Sequence, residues 1–130
     1  MFHAGSSFFI PNDRHLWFVL SDPEIDPQSV VYVNLTSYSP PPAPQNARND
    51  PACIWTLGDH PFVEHPTCVY YHGAHIGSIA NLRGRYACGG ISFHEPASPQ
   101  MLAKMQSSSA DSHYTGEDVY QLLVDQGLAT

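Results

Sequence analysis

The chain has 130 residues, 42% of them apolar and only 13% charged, with twelve prolines. That length suits one domain with a core of its own, and so many prolines exclude a mostly helical fold, because proline is barred from helix interiors and central strands. A net charge of −7, from five Lys and Arg against twelve Asp and Glu, excludes a protein that coats nucleic acid nonspecifically, which needs a basic field. It leaves room for an enzyme that cuts nucleic acid with a few well-placed cations. Eight histidines would bring the charge toward zero in mild acid. Cys53, Cys68 and Cys88 are odd in number and form no CxxC, so no disulfide framework is expected and a reducing cytoplasm is the simplest setting. No apolar run approaches the ~18 residues of a membrane span. Met1-Phe2-His3-Ala4-Gly5 lacks the basic start and apolar block of a secretory leader.

The first half reads as β-structure. Phe8-Phe9-Ile10 is a short apolar piece stopped by the turn signal Pro11-Asn12-Asp13. Residues 15–21 are dense in aromatic and aliphatic side chains and end at Asp22-Pro23, the pattern of a strand buried on both faces. In residues 29–37 the alternation is legible: Val31, Val33 and Leu35 point one way, and Val30, Tyr32, Asn34 and Thr36 the other. Polarity rises toward the end of that second face, which makes it a candidate floor for a site. Residues 39–51, with four prolines in the first six, form a long connector of polyproline character. Further strands are expected at 53–57 and 67–72, around the turn-forming run Gly58-Asp59-His60-Pro61-Phe62. Residues 76–83 read as a short helix or turn, and 86–93, with Gly89-Gly90, as an interrupted strand.

The last third changes character. Ser98-Pro99 is an N-cap followed by proline at the first helical position. Met101, Leu102 and Met105 then share one face of a helix that ends in Ser107-Ser108-Ser109. A second helix starts near Thr115-Gly116-Glu117-Asp118, with Val119, Leu122 and Leu123 on one face and Gly127 as its stop. Strands followed by helices indicate an α+β domain, mainly β: a small barrel or strongly bent sheet over residues 1–95, with two C-terminal helices in 96–130 as an extension of the same domain. The extension carries a net charge of −3 from Lys104, Asp111, Glu117, Asp118 and Asp125. If it covered a nucleic-acid site it would repel the ligand.

Four constellations compete as sites. Cys53, His60, His65, Cys68, His72 and His75 are zinc-ligand types crowded into one stretch, without the spacing of a known finger or ribbon. Cys68 and His72 would share a face if the strand at 67–72 were regular. A Cys–His nucleophile pair has no local signature here. Asp22, Glu24 and Asp26 alternate as a carboxylate set would, but in a proline-bounded turn they read first as a solvated loop. The fourth is Arg14 with Thr36 and Ser37. In an antiparallel meander the start of one strand lies beside the end of the next, so the guanidinium opening the second strand would meet the hydroxyls closing the third. A guanidinium and a hydroxyl suit a phosphate: fixed donors make charge-assisted bonds to its oxygens and would hold the extra charge of a pentacoordinate phosphorane. Ordinary exposure of a turn arginine and the strand preference of threonine explain the same residues without a site.

The run from Asp13 to Ser21 (DRHLWFVLS) followed by Val31 to Ser37 (VYVNLTS) resembles the PemK/MazF-like toxin family of toxin–antitoxin systems. Its members show an arginine before an apolar strand ending in serine, then an apolar strand ending in a Thr-Ser pair. Leu57 to Phe62 (LGDHPF) with Thr67 to Tyr71 (TCVYY) is similar to a run in relatives of that family. The resemblance implies an SH3-like barrel near the CcdB-like toxins. It also implies a metal-independent endoribonuclease of single-stranded RNA, needing no cofactor, that works by attack of the 2′-hydroxyl on the adjacent phosphate. Arg14 and Thr36 would be catalytic, Arg14 in proton transfer or charge stabilisation and Thr36 on the scissile phosphate. Ser37 would contact substrate beside Thr36, and a homodimer with a cognate antitoxin is implied; His15 and His60, by the chemistry of imidazole and not by the resemblance, would also contact substrate, as positive charges or proton-transfer groups. His15 stands where the family often carries proline, and the acidic charge, the proline-rich loop and the long tail also depart from its plan. A noncatalytic RNA- or protein-binding module on the same barrel, gyrase-inhibitor-like, and a zinc-binding protein are the alternatives.

Overall fold

The computed structural model describes residues 2–130. In chain order it forms β1 (Ser7–Phe9), β2 (Trp17–Val19), β3 (Val30–Ser37), β4 (Ile54–Trp55), β5 (Thr67–Val69), a 3-10 turn (Tyr71–Gly73), β6 (His75–Gly77), α1 (Ile79–Ala87), β7 (Ser92–His94), α2 (Pro99–Ser108) and α3 (Glu117–Asp125). The fold is α+β, around one antiparallel sheet in the order β4-β5-β3-β2-β1-β7. The sheet does not close into a barrel, since β4 and β7 end the order. β3 organises it. One edge of β3 pairs with β2, with Trp17 opposite Asn34; the other is shared by β6 at its first half and β5 at its second.

The alternation along β3 is realised as two packed faces. Val31, Val33 and Leu35 join Leu16, Phe18, Leu20, Val69 and Tyr71 in the main core. Helices α2 and α3 close that core with Met101, Met105, Val119 and Leu123, so the C-terminal helices share the interior of the sheet. The opposite face carries Phe8, Trp17, Val19 and Val30, covered by Phe2, Ile79, Leu82 and Ile91, with Tyr32 packed against them. This second cover stops short of the end of β3. Asn34 and Thr36, further along the same face, have no helix above them and line open pockets instead.

The helix signals act as their chemistry requires. Ser98 Oγ accepts from the Met101 amide at 3.1 Å, with Pro99 opening α2. Glu117 and Asp118 sit in the first turn of α3, where carboxylates suit the helix dipole, and Gly127 follows at φ 73°, a left-handed conformation that glycine adopts without strain. Three expected elements differ. The strand expected to run to residue 72 ends at Val69, because the chain enters the 3-10 turn at Tyr71. Cys68 is therefore buried and His72 exposed, and the shared face foreseen for them does not exist. Residues 76–83 split between β6 and α1. The start of the interrupted strand at 86–93 belongs to α1 and the turn after it, leaving only β7. The acidic run at 22–26 is a turn: Asp22 Oδ1 accepts from the Glu24 amide at 2.9 Å, and Asp26 Oδ1 from Gln28 at 3.1 Å. Among the described residues no helix is long and apolar enough to cross a membrane.

Because α3 completes the main core, Leu123→Ala, at a fully buried position, is expected to cost about 2–5 kcal/mol of stability in a single cooperative urea transition. A loss below about 0.5 kcal/mol, within the ordinary range for surface changes, would show that α3 is a separable appendage.

Candidate functional site

The β1–β2 turn prepares the arginine. The Asp13 amide donates to the Ile10 carbonyl at 3.0 Å, and Asn12 takes the left-handed conformation at φ 67°, which asparagine tolerates better than most residues. The Asp13 carboxylate then accepts from the His15 amide at 2.9 Å and from the Trp17 indole at 3.0 Å. With Asp13 so engaged, Arg14 makes no ion pair among the described residues. Its side chain lines a cleft of about 520 Å³ together with His15, Thr36, Ser37, Glu64 and His65. The β2–β3 register continues to the same place, because pairing Trp17 with Asn34 sets residue 15 opposite residue 36. Thr36 is half-buried and open to this cleft, while Arg14, His15 and Ser37 are exposed.

His15 is held by its ring. Its Nδ1 lies 2.9 Å from the Leu35 carbonyl oxygen. A carbonyl only accepts, so Nδ1 carries the proton and Nε2 keeps the basic lone pair. Ser37 Oγ is 3.0 Å from His65 Nε2. One arginine, three hydroxyls, three imidazoles and one carboxylate thus line one concave surface, a set able to grip an anion and relay a proton.

A second pocket of about 250 Å³ adjoins the first, sharing His15 and Thr36 and adding Trp17, Asn34, Arg48, Tyr70, Gly73 and His75. The charge distribution is uneven. Two of the five Lys and Arg residues, Arg14 and Arg48, and four of the eight histidines, His15, His65, His75 and His94, line these two pockets. Glu64 is the only carboxylate among the lining residues. An acidic protein therefore places two arginines and four imidazoles around these pockets, against one carboxylate. No residue from 96 onward lines either pocket, because α2 and α3 pack against the other face of β3. The acidic helices do not screen the cleft.

His60 has a different role from the substrate contact expected of it. It is 5% exposed and lines neither pocket. Its Nδ1 accepts from the Phe62 amide at 3.1 Å, so its Nε2 carries the proton and donates to the Glu95 carbonyl at 2.7 Å. Burial lowers its pKa, with the Glu95 carbonyl acting against that shift. His60 is a neutral brace beneath the wall formed by Pro61, Phe62, Glu64 and His65.

The zinc set is dispersed: Cys53 and Cys68 are buried thiols, and His65 bonds Ser37. Among the described residues no three His, Cys, Asp or Glu side chains come together as metal-binding groups. All three cysteines are free, and burial pushes the Cys53 thiol up to about 11, away from the range of a nucleophile.

Arg48, Tyr70 and His94 lie in the pockets without having been singled out as site residues, and His75, considered only as a zinc-ligand type, lines the second. The pairing that brings Tyr70 beside β3 skips β4, so only the register reveals it. Comparison with known proteins returned no matching family model, no matching curated protein and no matching solved structure.

The brace has a pH signature. Since the folded protein holds His60 neutral, the unfolded chain takes up a proton that the folded one refuses as pH falls below ~6.5. Stability is expected to drop through that range and to level off below the lowered folded value. His60→Gln, which keeps a donor toward Glu95, is expected to flatten this part of the stability profile. Parallel profiles for the two proteins between pH 7 and 5 would show that another group carries the dependence.

Proposed function

We propose that the chain is a toxin-like endoribonuclease that cleaves single-stranded RNA by attack of the 2′-hydroxyl on the adjacent phosphate. The observation that carries this reading is the convergence of Arg14, His15 and Thr36 on one open cleft. It is supported by the placement of Arg14 and Arg48 at these pockets with a single carboxylate, Glu64, among the lining residues, and by the resemblance of the strand-end motifs to the PemK/MazF-like family. We read the antiparallel sheet, open at β4 and β7, as an unclosed scaffold of the small SH3-like type. A cytoplasmic setting, a homodimer and a cognate antitoxin belong to the same proposal.

The chemistry follows from the side chains. The scissile phosphate lies against Thr36 and Arg14, whose donors hold its non-bridging oxygens. His15 Nε2, the basic nitrogen of a ring fixed through Nδ1, takes the proton of the 2′-hydroxyl. The 2′-oxygen bonds to phosphorus and the bond to the 5′-oxygen breaks. That oxygen leaves with a proton delivered by the His65 imidazole, held beside Ser37. The products are a 2′,3′-cyclic phosphate and a 5′-hydroxyl. The guanidinium meets the charge that grows on the phosphorane, and groups of this kind act most strongly when fixed before the reaction.

Incubation of a mixed RNA pool with the protein in excess EDTA is expected to yield fragments with cyclic phosphate ends. Arg14→Ala and Thr36→Val should each lower kcat by about 100-fold or more. His15→Gln should lower kcat by about 100-fold or more, the scale of losing a positioned general base. Intact RNA that still binds would replace the nuclease with a noncatalytic binding module on the same surface.

A further inference from the structure

The second pocket has an order of its own. Register places Phe93 of β7, Phe8 of β1, Trp17 of β2 and Asn34 of β3 in one row across the sheet. The β3–β5 register, with Leu35 opposite Val69, extends the row to Tyr70, whose amide donates to the Asn34 carbonyl at 2.9 Å. Directly opposed residues of an antiparallel pair share a face. A carboxamide thus stands in an otherwise aromatic row, with Trp17 on one side and Tyr70 on the other.

Asn34 is 4% exposed and lines the pocket. One N–H of its amide donates to the Leu35 carbonyl at 3.2 Å, which fixes which end of the group is nitrogen. The other N–H and Oδ1 have no partner among the described residues. Oδ1 is not among the sealed, unpartnered polar atoms, so it opens onto the pocket, where a ligand can reach it. The aromatic walls are set by their neighbours. Trp17 stacks on His75 with centroids 5.2 Å apart and planes at 29°. Tyr70 lies so close to Gly73 that a Cβ there would sit 2.5 Å from its ring, and the Arg48 guanidinium lies 5.8 Å from its centroid.

We infer that this pocket is a nucleobase subsite, which holds one unpaired base of the RNA next to the phosphate at Thr36. The base lies between the Tyr70 ring and the Trp17–His75 stack, with its hydrogen-bonding edge on Asn34. A donor beside an acceptor matches the paired acceptor and donor on a base edge, and aromatic faces accept any base by stacking. Asn34 and Thr36 are two positions apart on one strand face, about 6.8 Å, the scale separating a base from its own backbone phosphate. The inference rests on the reading of the cleft as an RNA site and assigns it a specificity determinant.

The test uses 2′-O-methyl dinucleotides, which cannot be cleaved, carrying each of the four bases or none at each position. Binding is followed by calorimetry on the intact protein. The expected result is a preference for one base at one position, about 10-fold or more over the abasic ligand. Tyr70→Ala should abolish that preference, and Asn34→Asp, which replaces a donor by an acceptor, should change which base is preferred. Tyr70 is only partly buried, so Tyr70→Ala decides the matter should Asn34→Asp fail to fold. Equal binding of all bases and the abasic ligand, or a preference untouched in a folded Tyr70→Ala protein, would overturn the subsite. Base preference without cleavage of ordinary RNA would support the subsite and refute the nuclease; cleavage without base preference would do the reverse.

Discussion

Strand β3 is hydrogen-bonded along both edges and packed on both faces, and the rest of the molecule is arranged around the difference between those faces. Val31, Val33 and Leu35 bind the sheet to α2 and α3 in the main core. Val30 and Tyr32 enter a smaller cluster under α1, and that cluster stops before the strand does. Asn34 and Thr36 are left with the rigidity of a central strand and without its cover. Groups on a central strand are held in position by two ladders of backbone bonds, which is what a site needs if its geometry is to precede its ligand.

Electrostatics add to this arrangement. Sparse cations in an acidic protein are useful only if they are gathered, and the pockets gather Arg14 and Arg48 with half of the histidines. The adjacent acid Asp13 bonds the His15 amide and the Trp17 indole and forms no ion pair with Arg14. The helical tail, acidic as a whole, sits behind the sheet. Anions approaching the open face meet donors with carboxylates largely out of the way.

Much of this was legible in the residues. The period-two pattern of β3 located both faces, and the meander rule brought position 14 toward position 36. Ser98, Pro99 and Gly127 marked helix ends by their own chemistry. The remainder depended on contacts remote in sequence. His60 looked like a ligand because histidines often are; only its bonds to the Phe62 amide and the distant Glu95 carbonyl reveal a brace. Helix α1 was indistinct because it buries only Ile79 and Leu82, too little for a clear amphipathic stripe. Arg48 and Tyr70 reach the site through a folded-back loop and a strand pairing that skips β4, neither of which leaves a local trace.

The proline-rich loop that delivers Arg48 is secured by uncharged groups. Asn49 donates to the Ser39 and Pro44 carbonyls and accepts from the Ser39 amide, while Gln45 bonds Tyr38, Ser39 and Ala43. Amides and phenols of this kind do not change charge where imidazoles do. The loop that carries Arg48 is therefore fastened by groups indifferent to acid, whereas the wall of the neighbouring cleft rests on the His60 brace, so the two halves of the receptacle differ in how firmly they hold their shape as pH falls.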